Sequence, residues 1–297
     1  MRIRDYLNKP EYLHRPTQVF RRIWRGIEPL PATARVSLPW GFPLNIHPGE
    51  VVGRALWLTG AFELAVSEMI WRILRPGDLA ADVGANIGYH TSLMALRVSG
   101  RGGVVRAFEP HPVIFGELTA NLELWPSAVR AGVCLTQAAV SSAPGEVTLH
   151  IPREFSGNRG VASVEAFGMG QETEQVSVKA VQLDAEFAAA APIRLLKMDV
   201  EGHELAALAG AQRLLREGGV RSVIFEEHSP LPSPVSRVFT GAGYRLFKIL
   251  KSPGGPRLEA PDGPTPNLPF EAPNYLATLE AEEMQTLAEP RGWQCLG

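Results

Sequence analysis

Three short segments carry acids and glycines at spacings suited to ligand chemistry. In "DVGANIG", Asp82 ends an apolar run and Gly84 and Gly88 follow it. Glycines at such a turn let a ligand approach the backbone with no Cβ in the way, and a helix starting there adds free N–H groups. A dinucleotide site wants G-x-G-x-x-G, and its pyrophosphate gains nothing from a neighbouring acid. A ligand bearing an ammonium or sulfonium group does gain. In "FEPHP", Glu109 stands at a strand end that Pro110 terminates, where a carboxylate accepts both hydroxyls of a ribose. "KMDVEGHE" sets Asp199, Glu201, His203 and Glu204 across a strand-to-helix junction, although acids there also serve as ordinary dipole compensation. A ligand with a cationic end and a ribose fits S-adenosylmethionine better than NAD.

Holding these residues requires strands and helices in alternation. Strands read near 79–83, 102–108, 131–140, 193–200 and 221–228, with helices at about 88–98, 111–124, 202–217 and 232–242. That rhythm predicts βαβ units and a doubly wound, mostly parallel sheet. "GEVTLHIP" and "EQVSVKAVQLD" have period-2 character and read as an added hairpin around "GNRGVASVEAFGMGQ". "GYRLFKIL" and "NYLATLE" read as two further strands, separated by a Pro/Gly-rich loop over 251–273.

Upstream, "TQVFRRIWRG" places Val19, Phe20, Ile23 and Trp24 on one helical face with Arg21, Arg22 and Arg25 opposite, as a docked helix does. "ARVSLPWGFPLNIHP" reads as two short strands and a turn. "GAFELAVSEMIWRILRPGD" reads as a helix with Phe62, Val66, Met69, Ile70 and Ile73 on one side, ended by Pro76 and Gly77. The expected organisation is an N-terminal extension of helices and a hairpin over 1–75, covering the substrate side, and a cofactor-binding domain over 76–297.

Composition narrows the class. An apolar fraction of 45%, a charged fraction of 20% and a net charge of −2 describe an ordinary soluble protein with no general field for nucleic acid or an anionic membrane. The two cysteines, Cys134 and Cys295, form no CxxC pair, which fits a reducing cytosol. The N-terminal stretch lacks the apolar core of a signal peptide, and no apolar run approaches the ~20 residues of a bilayer span. A cytoplasmic protein with no membrane and no nucleic-acid partner is expected.

Together, "DVGANIGYHT", "FEPHP", "QAAVSSAPGEVTLHIP", "LLKMDVEGHELAALAGA" and "NYLA" resemble the FkbM family of S-adenosylmethionine-dependent methyltransferases over about residues 50–280. The resemblance implies the class I methyltransferase fold, seven strands with the last inserted antiparallel. It also implies methylation of a hydroxyl on a small natural product or sugar; the alternatives are nitrogen or carboxylate methylation of a small molecule or peptide natural product, or a cofactor-binding homologue without catalysis. Residue by residue, it implies that Asp82 and the backbone of Gly84, Asn86 and Gly88 hold the methionine part of the cofactor. Glu109, followed by Pro110, takes the ribose; Gln137 and Ala138 lie at the adenine edge; Asp199 stands beside the methyl group.

Methyl transfer needs alignment and a proton acceptor. Candidates are Asp199, His203, Glu226 and His228, with His90 farther off; Asp199 as orienting acid and His203 as base are the preferred pair. Asp199, Glu226, Glu227 and His228 also offer a ligand set for Mg²⁺, although a solvated acidic rim is the simpler reading. The acceptor is expected to be a small molecule, held by the N-terminal extension and the 153–175 and 251–273 stretches, with Trp40, Trp57 and Phe62 as apolar walls.

Overall fold

The structure, a computed structural model, describes residues 20, 29–152, 164, 173–263 and 273–297. The expected helix over 17–26, apart from Phe20, lies outside the described residues. So do nearly all of the 153–172 stretch and residues 264–272 of the expected loop.

The chain opens with an antiparallel hairpin, β1 (Ala34–Ser37) and β2 (Pro43–Ile46), then α1 (Val51–Thr59) and α2 (Leu64–Ile73). Next come β3 (Leu79–Val83), α3 (Tyr89–Val98), β4 (Val104–Phe108), α4 (Pro112–Leu122), α5 (Ser127–Arg130) and β5 (Val133–Thr136). A smaller sheet follows from β6 (Ala139–Val140), β7 (Gly145–Pro152) and β8 (Thr173–Val181). The chain returns through α6 (Leu183–Glu186) to β9 (Ile193–Met198), α7 (Glu204–Ala209), α8 (Gln212–Arg216), β10 (Val220–Glu226) and α9 (Pro234–Gly241). It ends with β11 (Arg245–Ser252), β12 (Gly255–Glu259), β13 (Asn274–Thr278) and α10 (Ala281–Leu287), before a short C-terminal turn.

The main sheet runs β12-β11-β13-β10-β9-β3-β4-β5. β13 is inserted antiparallel between β10 and β11, as the resemblance implies, and β12 adds an eighth strand from within the expected 251–273 loop. From β3 the chain steps outward through β4 and β5, then returns to lay β9 on the other flank of β3. That reversal opens a crevice beyond the carboxyl ends of β3 and β9, the place where open α/β sheets bind ligands.

Side chains alternate across the sheet with the strand period of two. Leu195 and Ile224 face a core shared with α2, α3 and the β1–β2 hairpin, so the N-terminal elements pack on the sheet itself. Leu196, Val223 and Phe225 face a second core with α7, α8 and α9.

Two expected elements are broken, each for a tertiary reason. The strand over 131–140 leaves the main sheet after Thr136, and Ala139 and Val140 pair instead with β8. The helix over 202–217 is interrupted at Gly210, where a Cβ would lie 2.1 Å from the Ser141 carbonyl oxygen. α8 starts two residues later, at Gln212, and Asp184 accepts from the backbone N–H groups of Arg213 and Leu214 at 2.8 and 2.9 Å. α1, in a stretch to which the sequence reading assigns no element, forms after the hairpin and leaves Gly53 against the His47 carbonyl.

α2 is buried on more than its apolar face. Glu68 and Arg72, one turn apart, form an ion pair of 2.6 Å with both side chains buried. Arg72 donates to the carbonyls of Leu287, Glu289 and Gly292, while Glu68 accepts from the Cys295 N–H. The pair thereby ties the C-terminal segment to α2. Cys295 is buried, Cys134 exposed, and both are free thiols. Among the described residues, no helix is long and apolar enough to cross a membrane.

Candidate active site

A cavity of about 730 Å³ occupies the crevice. Its floor is the β3–α3 turn. Gly84 and Ala85 both donate to the Phe108 carbonyl at 3.0 Å, which curls the turn over the end of β4. Gly84 has a φ of +80°, and a Cβ there would lie 1.8 Å from the Asp199 carbonyl oxygen. The glycine is therefore demanded by the approach of β9 as much as by any ligand. Asn86 takes a left-handed φ of 50° and its Oδ1 accepts from the Ile87 N–H. Gly88 starts α3, and a Cβ on it would press on Leu118; it shapes the turn rather than lining the cavity.

Glu109 lies at the carboxyl end of β4, buried on the cavity wall. One carboxylate oxygen accepts from the Asn86 N–H and the other from the His111 N–H, each at 2.9 Å. Each oxygen keeps a lone pair, and the carboxylate is fixed in orientation. Asp82 is buried at the end of β3, and its Oδ2 accepts from Thr91 Oγ1 at 2.6 Å. Its Oδ1 is buried with no hydrogen-bond partner. Pro110, Ala138 and Asp199 also line the cavity, whereas Gln137, at the break after β5, is exposed and does not.

The opposite wall comes from α1, the turn before α2, and β11. Phe62 and Leu58 are on it; Trp40 and Trp57 are not, and pack instead against the core. Asp199 accepts from Lys197 Nζ at 3.1 Å, and His203 Nε2 lies 3.0 Å from Ser141 Oγ. Glu226 pairs with exposed His228 at 2.8 Å, and Glu227 accepts from the Ser229 N–H. Among the described residues, no group of three His, Cys, Asp or Glu is placed to hold a metal ion. Sequence reasoning passed over Glu63, which lines the cavity beside His90. Its position was hidden because the segment before α2 reads only as a helix start.

Residues 82–246 match the methyltransferase FkbM domain, more than half of the chain. The chain belongs to the FkbM methyltransferase family. It is similar to the hexuronic acid methyltransferase AglP of Haloferax volcanii, 30% identical over 168 residues, covering 56% of this chain and 62% of AglP. It is also similar to the 31-O-demethyl-FK506 methyltransferase FkbM of Streptomyces tacrolimicus, 34% identical over 168 residues, covering 47% of this chain and 61% of that protein. The chain thus spans about three fifths of the length of these relatives. A crystal structure of methyltransferase FkbM from Methylobacillus flagellatus KT superposes with a TM-score of 0.44 at 14% identity, covering 75% of this chain and 52% of that one.

The FkbM-family site is rich in carboxylates that burial makes reluctant to ionise. Desolvation raises Asp82, and it pushes Glu109 and Glu201 up to about 7 and Glu226 up to about 8. Lys197 sits among them as the buried counter-charge. It is raised because Asp199, Asp82 and Glu63 outweigh its own desolvation. A carboxyl raised in the fold holds its proton to higher pH than in the unfolded chain. Its stabilisation is complete below the ordinary value of 4.5 and is lost as pH rises through 7 to 8. The thermal midpoint of the cofactor-free protein is therefore expected to fall between about pH 6.5 and pH 8.5, with a shallower fall in Glu226→Gln. A midpoint that rises over that interval in a pH series of melts would contradict this electrostatic picture.

Proposed function

We propose that this chain is an S-adenosylmethionine-dependent methyltransferase acting on a hydroxyl of a small natural product or sugar. One observation carries the reading: two buried carboxylates, Asp82 and Glu109, share the cavity wall with acceptor capacity that no protein donor uses. An amino group suits the bare Oδ1 of Asp82, and a ribose diol suits the two oriented oxygens of Glu109. The residues present therefore fit the cofactor.

When bound, S-adenosylmethionine supplies a methyl group activated by its sulfonium. The protein contributes the rest. The Glu109 carboxylate orients the ribose, and the backbone of Gly84 and Asn86 flanks the methionine part. Ala138, small and buried, shapes the adenine edge with Pro110, a role that exposed Gln137 is poorly placed to share. The N-terminal elements through α2 cover the acceptor side, where Phe62 and Leu58 exclude water. Alignment of the reacting groups contributes on the order of 7–11 kcal/mol, and a positioned base a further ~10²–10⁴-fold. The relatives' names, one a sugar acid methyltransferase and the other acting on a demethylated natural product, support a small-molecule acceptor.

Calorimetric titration with S-adenosylhomocysteine tests the reading, with NADH as the control ligand. Glu109→Ala should weaken S-adenosylhomocysteine by about 1.5–3 kcal/mol, roughly 10- to 150-fold, the range for a hydrogen bond to a charged group. Equal affinity in the two proteins would remove Glu109 from the ribose, and tight NADH binding would overturn the cofactor assignment.

A further inference from the structure

We propose that the acceptor is a lipophilic alcohol without an acidic group, its hydroxyl among the carboxylates of the cavity and its carbon skeleton along the cavity face of α1. The proposal rests on the methyl-transfer reading above and names the class of acceptor that the same site takes.

α1 is apolar on two faces, and Arg54 is its one charged residue. Gly53 packs on the His47 carbonyl and Leu56 enters the core shared with the hairpin, so one face docks the helix. Val51, Ala55 and Leu58 recur at i, i+4 and i+7 and therefore share another face. These three lie outside that core and line the cavity instead, where Phe62 continues the row on the turn before α2. Val51 is 50% exposed. An apolar strip on a helix already docked by its other side gains only when an apolar surface covers it. This strip is continuous with the crevice that holds Asp82 and Glu109, a cavity of about 730 Å³. That volume, within the roughly 300–1,000 Å³ of ordinary ligand pockets, fits a small molecule rather than a protein segment.

The carboxylates set the other half of the class. Asp199, Glu201 and Glu226 line the cavity, with Lys197 buried against Asp199 at 3.1 Å. Burial, and then the nearness of Asp199, Glu63 and Glu201, pushes Glu226 up to about 8. A sugar acid carries its carboxylate within one ring's width of each hydroxyl, so methylating it would add a negative charge to this group. Either that charge stays uncompensated in a partly desolvated site or another carboxyl takes up a proton, and both weaken binding. An alcohol brings a donor for the carboxylates and no charge. The cations that a sugar acid would need stand on the facing wall, Arg54 exposed on α1 and Lys251 on β11, whereas Lys248 donates to the Gly263 carbonyl at 2.7 Å.

The test is a fluorescence titration of the full chain, saturated with S-adenosylhomocysteine, using N-phenyl-1-naphthylamine, a neutral apolar probe that brightens on burial. The expected result is a bound probe that 1-octanol displaces and that D-glucuronate at equal concentration leaves in place. Leu58→Asn should weaken the probe about tenfold while S-adenosylhomocysteine binds as before. Val51→Asp, a change at a half-exposed position where an acid suits the helix N-terminus, should keep the fold and weaken the probe about threefold. Absent probe binding, a probe that 1-octanol fails to displace, or undiminished binding in either variant would overturn the proposal. So would displacement by D-glucuronate, and its loss in Arg54→Ala would assign the α1 wall to an acidic acceptor. Calorimetry on the same samples keeps the two readings apart. Absent S-adenosylhomocysteine binding refutes methyl transfer, whereas the probe, titrated with and without that ligand, judges the α1 face itself.

Discussion

Gly84→Ala is expected to cost about 2–5 kcal/mol of stability and to abolish measurable S-adenosylhomocysteine binding in the protein that still folds. Two effects add. A residue with a Cβ at a φ of +80° is strained by roughly 1–2 kcal/mol. The new Cβ also lies 1.8 Å from the Asp199 carbonyl oxygen, and the atom in the way is backbone, so no side chain can swing aside. Overpacking of that kind costs roughly 1–3 kcal/mol. Relief requires the end of β9 to move away from β3. Asp199 and Lys197 would shift with it, and the bond from the Asp199 N–H to the Val83 carbonyl, now 3.0 Å, would break. Denaturant unfolding and calorimetry read the two consequences separately. A loss of stability under about 1 kcal/mol would show that the two strand ends are less tightly coupled than their contact implies.

Arg72→Ala should destabilise the fold by about 3–5 kcal/mol, the usual loss when one partner of a buried ion pair is removed. The cost comes from what remains: a buried Glu68 carboxylate without its counter-charge, and the carbonyls of Leu287, Glu289 and Gly292 without their donor. Against a typical total of 5–15 kcal/mol this is a large share. The C-terminal segment should loosen first, so amide exchange at Cys295, whose N–H now donates to Glu68, should quicken most. A denaturation midpoint within error of the parent would mean that the segment is held by its apolar contacts, chiefly Trp293 and Leu296.

The turn after β3 and the acid at the end of β4, where we propose that the cofactor binds, were legible because their signals are local. An acid and two glycines lie within seven residues, a helical period follows at once, and backbone sterics favour glycine where φ is positive. Glu109 was legible for the same reason, since an acid followed by proline marks a strand end. The facing wall of the cavity was not. Glu63, His90 and Asn274 are brought together only when α2 and β13 close on the same crevice, and nothing in their separate neighbourhoods points to that meeting.

The sequence by itself determined the βαβ rhythm, the reversed last strand implied by the family resemblance, and the carboxylates at the ends of β3, β4 and β9. The rhythm and the carboxylates follow from side-chain periodicity or chain-neighbour geometry, which are properties of short windows, whereas the reversed strand follows from the resemblance alone. The tertiary structure alone decided which polar groups lose their water. Glu68 and Arg72, spaced one helical turn apart, would pair at a surface in an isolated α2. Burial beneath the C-terminal segment is what turns the pair into a tie. Gln137 is likewise exposed because β6 leaves for a second sheet, where it pairs with a strand some forty residues later in the chain. Desolvation depends on what packs across the chain rather than along it, so it is the quantity that a linear pattern does not carry.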